Sequence, residues 1–188
     1  MSRRLWNLRR LAAVLAAGAC VALTARAEDK VQTGASFLPV YEVLQHPRCQ
    51  NCHPAGDAPH VGDLGKLHRM NVSRHSPEAG LPCSTCHRDH NAMIEHGPPG
   101  APGWDMPPSS HPSPFEGKSP GALCAQLKDP AKNGGKSVAD LHGPMAHDAL
   151  VLWAFTPGPG RAAPPVSHAE LVKRVDRWIA EGAPCPAP

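Results

Sequence analysis

The chain has 188 residues, a formal net charge of +3, 23 prolines, 17 glycines and only eight aromatic residues. Its length suits one domain, and so few aromatic residues make a composition poor in core-forming side chains. Five of its 19 basic residues and none of its 16 acidic ones fall in the first 27 positions, so the remainder carries −2. The basic balance is therefore no argument for a nucleic-acid partner.

The first 27 residues read as a signal peptide. Arg3, Arg4, Arg9 and Arg10 form a positive start, Leu11 to Leu23 is an apolar run, and Ala25-Arg26-Ala27 is a small-x-small cleavage site. The mature chain then starts at Glu28 and lies in the periplasm. The apolar run is shorter than the ~20 residues a spanning helix needs, and no later stretch is long enough. Ser2-Arg3-Arg4 hints at a twin-arginine signal, and Ala17-Gly18-Ala19-Cys20 loosely resembles a lipidation site. General secretory export without an anchor fits better, because Val21-Ala22-Leu23 keeps the segment apolar past Cys20.

Residues 28–35 read as an irregular leader. Phe37, Leu38, Val40, Tyr41, Val43 and Leu44 then predict a short helix over 36–45. It leads into Cys49-Gln50-Asn51-Cys52-His53, which is matched later by Cys83-Ser84-Thr85-Cys86-His87. Both are C-x-x-C-H, the attachment signature of c-type haem. Two cysteines at this spacing reach the two vinyl groups of one haem, and the adjacent histidine is placed to bind iron. Cys49, Cys52, Cys83 and Cys86 are thus expected to hold two covalent haems c, with His53 and His87 as iron ligands.

Between the motifs, Pro54, Pro59, Pro77, Pro82 and several glycines predict loops and turns wrapped around something other than their own core. Residues 97–120 hold eight prolines and predict a polyproline-like arm, acting as a linker or as a lid over a haem edge. Beyond it, Ser119-Pro120 opens a helix that ends before Asp129-Pro130. Ser137 with Asp140 resembles a capping box, leading through Leu141 toward Trp153 after a break at Gly143-Pro144. An amphipathic helix runs from Ser167 to Gly182, with Leu171, Val172, Val175, Trp178 and Ile179 on its apolar stripe.

Zinc held by the two C-x-x-C pairs is the main rival to haem. The histidine after each pair, the export signal and the supply of further His and Met residues favour haem. Cys124 and Cys185 are left over once Cys20 leaves with the signal, and in an oxidising compartment they should form a disulfide closing 61 residues. Sixth iron ligands stay open. Met106, in Trp104-Asp105-Met106-Pro107-Pro108, resembles the distal-ligand loop of small cytochromes c, and His68 with Met70 forms a second cluster. His46, His90 and His147 are further candidates. His60, His75, His96, His111 and His142 have no motif context and should be mostly solvated, while His168 sits in a structural position at a helix start.

The chain resembles small exported dihaem cytochromes c, and most of all a group of bacterial proteins labelled isoquinoline 1-oxidoreductase subunit. The resemblance runs through His46-Pro47, Gly56-Asp57-Ala58-Pro59, Met70-Asn71-Val72 and both motifs. It continues through Phe115-Glu116-Gly117-Lys118, Leu127-Lys128-Asp129, Asn133-Gly134-Gly135 and Ser167-His168-Ala169-Glu170 to Gly182-Ala183-Pro184-Cys185-Pro186. An isoquinoline oxidoreductase is a molybdenum hydroxylase, whose catalytic chains need a large molybdopterin domain and cysteine sets for iron–sulfur clusters. This chain has neither, so the resemblance implies an electron acceptor rather than the enzyme.

The expected fold is mostly α with long Pro/Gly-rich loops, cytochrome c-like, with two haems in one compact domain. Residues 28–114 form its dihaem region with the proline-rich arm, and 115–188 a helical region packing on the haems. The expected function is electron transfer between a dehydrogenase and the respiratory chain. The partners are redox proteins. A small haem peroxidase or gas-binding sensor is the alternative, and a zinc-binding structural module a weaker one.

Overall fold

A computed structural model of the chain describes residues 33–94 and 97–188. The expected signal segment 1–27 and the expected start at Glu28, together with Cys20 and His96, lie outside these residues. Residues 33–188 form one compact unit.

Helices make up most of its regular structure. A 3-10 turn over Ala35–Phe37 leads into α1 (Leu38–Leu44), and α2 (Pro47–Gln50) follows at once. The first helix buries Val40, Val43 and Leu44, the i, i+3, i+4 face that its apolar spacing sets. The third, α3 (Pro120–Lys128), starts as expected: the Ser119 hydroxyl accepts from the Ala122 amide, and Pro120 fills the first helical position.

The Ser137–Asp140 capping contacts are present, with the Ser137 hydroxyl donating to Asp140 at 2.6 Å and accepting from its amide. The elements they open differ from the expectation. A 3-10 turn at Ala139–Leu141 passes into α4 (His142–His147), which runs straight through Gly143-Pro144. Pro144 sits in the first turn, where its missing N–H costs nothing. The break falls instead at Asp148, whose carboxylate accepts from the amides of Leu150 and Val151 and starts α5 (Ala149–Phe155). A new N-cap outcompetes continuation of the helix.

The last helix, α6 (His168–Ala180), is capped by Ser167, which accepts from the Glu170 amide. It buries Leu171, Val175 and Trp178, while Val172 and Ile179 flank the stripe and are half-buried.

These faces meet in one core. Phe37, Val40, Leu123, Leu171, Val175 and Trp178 are each at most 1–2 % exposed. The rings of Phe37 and Trp178 lie 5.1 Å apart, tilted by 52°. The Trp178 indole N–H donates to the Pro184 carbonyl at 3.0 Å, so its one polar atom is satisfied. Cys124 and Cys185 form the expected disulfide, with Cα atoms 5.5 Å apart. It joins α3 to the tail beyond α6 and contributes about 3–4 kcal/mol by restricting the unfolded chain. The tail crosses α3 so closely that a Cβ at Gly121 would lie 2.6 Å from the Ala187 carbonyl oxygen. Only glycine fits there.

Residues 53–118 pack differently. Their regular structure is one ribbon, β1 (His60–Val61) antiparallel to β2 (Lys66–Leu67), and a 3-10 turn at Cys83–Thr85. Such a ribbon is too short to stand alone. No helix among the described residues is long and apolar enough to cross a membrane.

Candidate haem-binding site

Each motif histidine is held in the same way by a different part of the proline-rich arm. The Nδ1–H of His53 donates to the Ser113 carbonyl at 2.7 Å, and Phe115 stacks on its ring at 3.8 Å and 2°. The Nδ1–H of His87 donates to the Pro99 carbonyl at 2.7 Å, and Trp104 stacks on it at 4.7 Å and 5°. The acceptors are carbonyls, so both imidazoles carry their proton on Nδ1 and keep the Nε2 lone pair for a metal. This is how a metal-binding histidine is usually oriented from behind. Burial pushes the His53 imidazole down to about 4, and burial likewise lowers His87. Both are neutral near pH 7, as a ligand must be.

Proline explains why the arm can do this. It has no N–H, so an arm rich in it offers carbonyls that are not used in a ladder. Arg74, 4 % exposed, collects more of them. Its guanidinium donates to the carbonyls of Pro107, Pro112 and Gly56 and to the Asp57 carboxylate, all within 3.2 Å. One buried cation thus fastens the arm to the start of the inter-motif loop. The arm backs the histidines; its composition alone had left linker and lid open.

Behind the second motif, Trp104 meets Trp153 edge to face at 4.7 Å. Asn91 accepts from the Trp153 indole at 2.9 Å and from the Gly100 amide at 3.0 Å. A Cβ at Gly100 would lie 2.2 Å from the Arg88 carbonyl oxygen, so this turn, which carries Pro99, has room for glycine only.

The four motif cysteines are free thiols. Enclosure in the protein pushes Cys49 up to about 12 and Cys52 up to about 11. Cys83 is also pushed up to about 11, by burial and by its bond to Asp105. Asp105 acts on both Cys52 and Cys83, and Cys52 acts on Cys83, so the two motifs are neighbours in space.

The residues fit haem in a further respect. Among the described residues, seven of nine exposed large apolar side chains lie between positions 61 and 94, including Leu64 at 82 %, Met93 at 95 % and Ile94 at 71 %. Soluble chains seldom leave so much apolar surface together without a partner for it.

The candidate distal ligands separate. His68 is half-buried, and its ring lies 6.2 Å from that of His87. Met106 is buried at 9 % exposure beside Asp105. His46 is used as the N-cap of α2, its Nδ1 accepting from the Arg48 amide. Met70 and His90 are exposed. His147 is exposed, 6.1 Å from the ring of His142, whose Nδ1 is 2.6 Å from Asp176.

Of the histidines without motif context, His60 lies 3.8 Å from Glu116, and His75 lies between Asp57 and Glu78. His111 bonds the Ser110 hydroxyl. His168 donates to the Met145 carbonyl at 2.8 Å, a structural contact between α6 and α4. Residue patterns alone missed Arg74, Asn91, Phe115 and Trp104 as supports. The signal available was an arm rich in acceptors and bearing two aromatics. No family model, curated protein or solved structure matches the chain.

Proposed function

We propose that the chain is an exported dihaem c-type cytochrome that carries electrons between a dehydrogenase, such as a molybdenum hydroxylase, and the respiratory chain in the periplasm. The observation that carries this reading is the matched treatment of His53 and His87. Each has Nδ1 tied to a backbone carbonyl, an aromatic ring on its face and Nε2 left over.

Bound haem iron would supply one-electron chemistry between Fe(III) and Fe(II). The protein's part is to anchor and orient. Each cysteine sulfur would form a bond to a vinyl carbon while its proton passes to the neighbouring carbon, so attachment consumes no oxidant. Cys49 and Cys52 would hold one group and Cys83 and Cys86 the other. His53 and His87 would ligate through Nε2, with the Ser113 and Pro99 carbonyls strengthening the imidazoles as donors. The exposed apolar residues at 61–94 would cover haem faces. The nearness of the motifs supports transfer between the two groups.

The zinc reading is less well supported. Among the described residues, no three or more His, Cys, Asp or Glu side chains converge as one shared ion would need. The deciding experiment is intact mass spectrometry of the exported protein. The expected result is a chain starting at Glu28 with two haem additions and a two-hydrogen loss for Cys124–Cys185. A red-free protein with no haem adduct would overturn the reading.

A further inference from the structure

We propose that His68 is the axial ligand opposite His87, so that the second motif holds a haem closed on both sides by imidazoles. This rests on the haem reading above and assigns one of its open positions.

The two rings stand at the separation that one shared metal requires. Metal–imidazole nitrogen bonds are about 2.0–2.1 Å long, so two imidazoles on opposite sides of one ion have ring centres roughly 6 Å apart. The His68 and His87 rings are 6.2 Å apart and tilted by 57°. His87 cannot turn away, being held by Pro99 at Nδ1 and by Trp104 on its face.

His68 is placed just as definitely. It follows β2, whose pairing His60 with Leu67 and Val61 with Lys66 sets the ribbon's register. Its own amide donates to the Pro59 carbonyl at 3.0 Å. The side chain has a single weak partner, the Met70 amide, which donates to Nδ1 at 3.3 Å. Ligation through Nε2 moves the ring proton to Nδ1 and releases that amide. Leu64, Leu67 and Met70, on the same ribbon and loop, leave apolar surface exposed.

Two competitors are less well set: Met70 is 67 % exposed, and His90 is exposed. Two imidazoles, rather than imidazole and thioether, place this haem at the lower end of the c-type potential range, since a Met ligand raises it.

The experiment uses the full exported protein as His68→Ala, His68→Met and Met70→Ala. Each is read for haem content by intact mass, CO uptake by optical titration, and midpoint potentials. For His68→Ala we expect two haems retained and one more CO bound per chain than in the wild type. Met70→Ala should match the wild type. His68→Met should raise the potential of one haem and leave the other in place. His68→Ala with two haems and unchanged CO uptake would overturn the assignment. Should that variant lose a haem, unchanged potentials in His68→Met would overturn it. A wild type without haem would show at the mass step, before any spectrum, and would end the haem reading and this assignment together.

Discussion

The helical core and the loops around the two motifs solve the same problem with different materials. Phe37, Val40, Leu123, Leu171 and Trp178 bury one another from helices far apart in sequence, and a disulfide ties two of their elements. Among the described residues, those from 53 to 112 contribute no side chain to that core. They are held by directed bonds: Arg74 to three carbonyls, His53 to Ser113, His87 to Pro99, and Asn91 to Trp153 and Gly100. Seven large apolar side chains between Val61 and Ile94 face outward instead, while Met106 is buried. Burial is non-directional and tolerates adjustment. Directed bonds fix atoms in place, which is what a metal ligand needs. The lesson is a division of labour, with stability in one part and placement in the other.

The broadest way to break this comparison is to remove the four motif thiols together, as Cys49→Ser, Cys52→Ser, Cys83→Ser and Cys86→Ser. Hydrogen exchange read by mass spectrometry should show protection lost across 53–112 and kept in α1, α3 and α6. Equal loss in both parts would refute an independent core. Equal retention would show that the loops do not rely on a bound group.

Trp178→Ala attacks the other side. Truncating a large buried aromatic costs about 3–5 kcal/mol, and here it also leaves the Pro184 carbonyl without its donor. Denaturant unfolding followed by circular dichroism should show that loss. In the protein that remains folded, the spectra at both motifs should be unchanged.

Gly100→Ala is a smaller and more local change. Its Cβ would press on the backbone oxygens of Arg88 and His90, and such overpacking costs about 1–3 kcal/mol. The displaced turn carries the Pro99 carbonyl, so the optical signature of the second motif should shift while that of the first stays. A shift in both would deny the separate anchoring of the two histidines.

The smallest effect is expected at the capping box. The Ser137 hydroxyl and amide hold the Asp140 carboxylate below the ordinary aspartate range. A carboxylate depressed in the folded state stabilises above its unfolded pKa, and the contribution is lost as pH falls through the folded value. NMR titration should find Asp140 low in the wild type and nearer ordinary in Ser137→Ala. The core resonances should not move.

Some of this was legible in order along the chain. The Ser167 cap, the apolar spacing of 171–178 and Gly182 state helix α6 locally, and Ser119-Pro120 does the same for α3. Cys124 and Cys185 could be paired by elimination, because four of the six cysteines beyond residue 27 belonged to motifs. The break at Asp148 was not legible, because Gly143-Pro144 reads as a helix breaker, while Pro144 falls in the first turn of α4 and the Asp148 cap opens α5.

By itself, the sequence determined which atoms are available for chemistry: four thiols in two C-x-x-C-H pairs, their two histidines, and a surplus of carbonyls in a proline-rich arm. Those are properties of residue type and short spacing. Only the tertiary structure decided which carbonyl meets which imidazole, that Phe115 and Trp104 back the rings, and that His68 comes to 6.2 Å from His87. Such contacts join positions from 12 to 62 residues apart, and no local periodicity encodes them. They arise when the arm folds back over the motifs, held there by the buried guanidinium of Arg74.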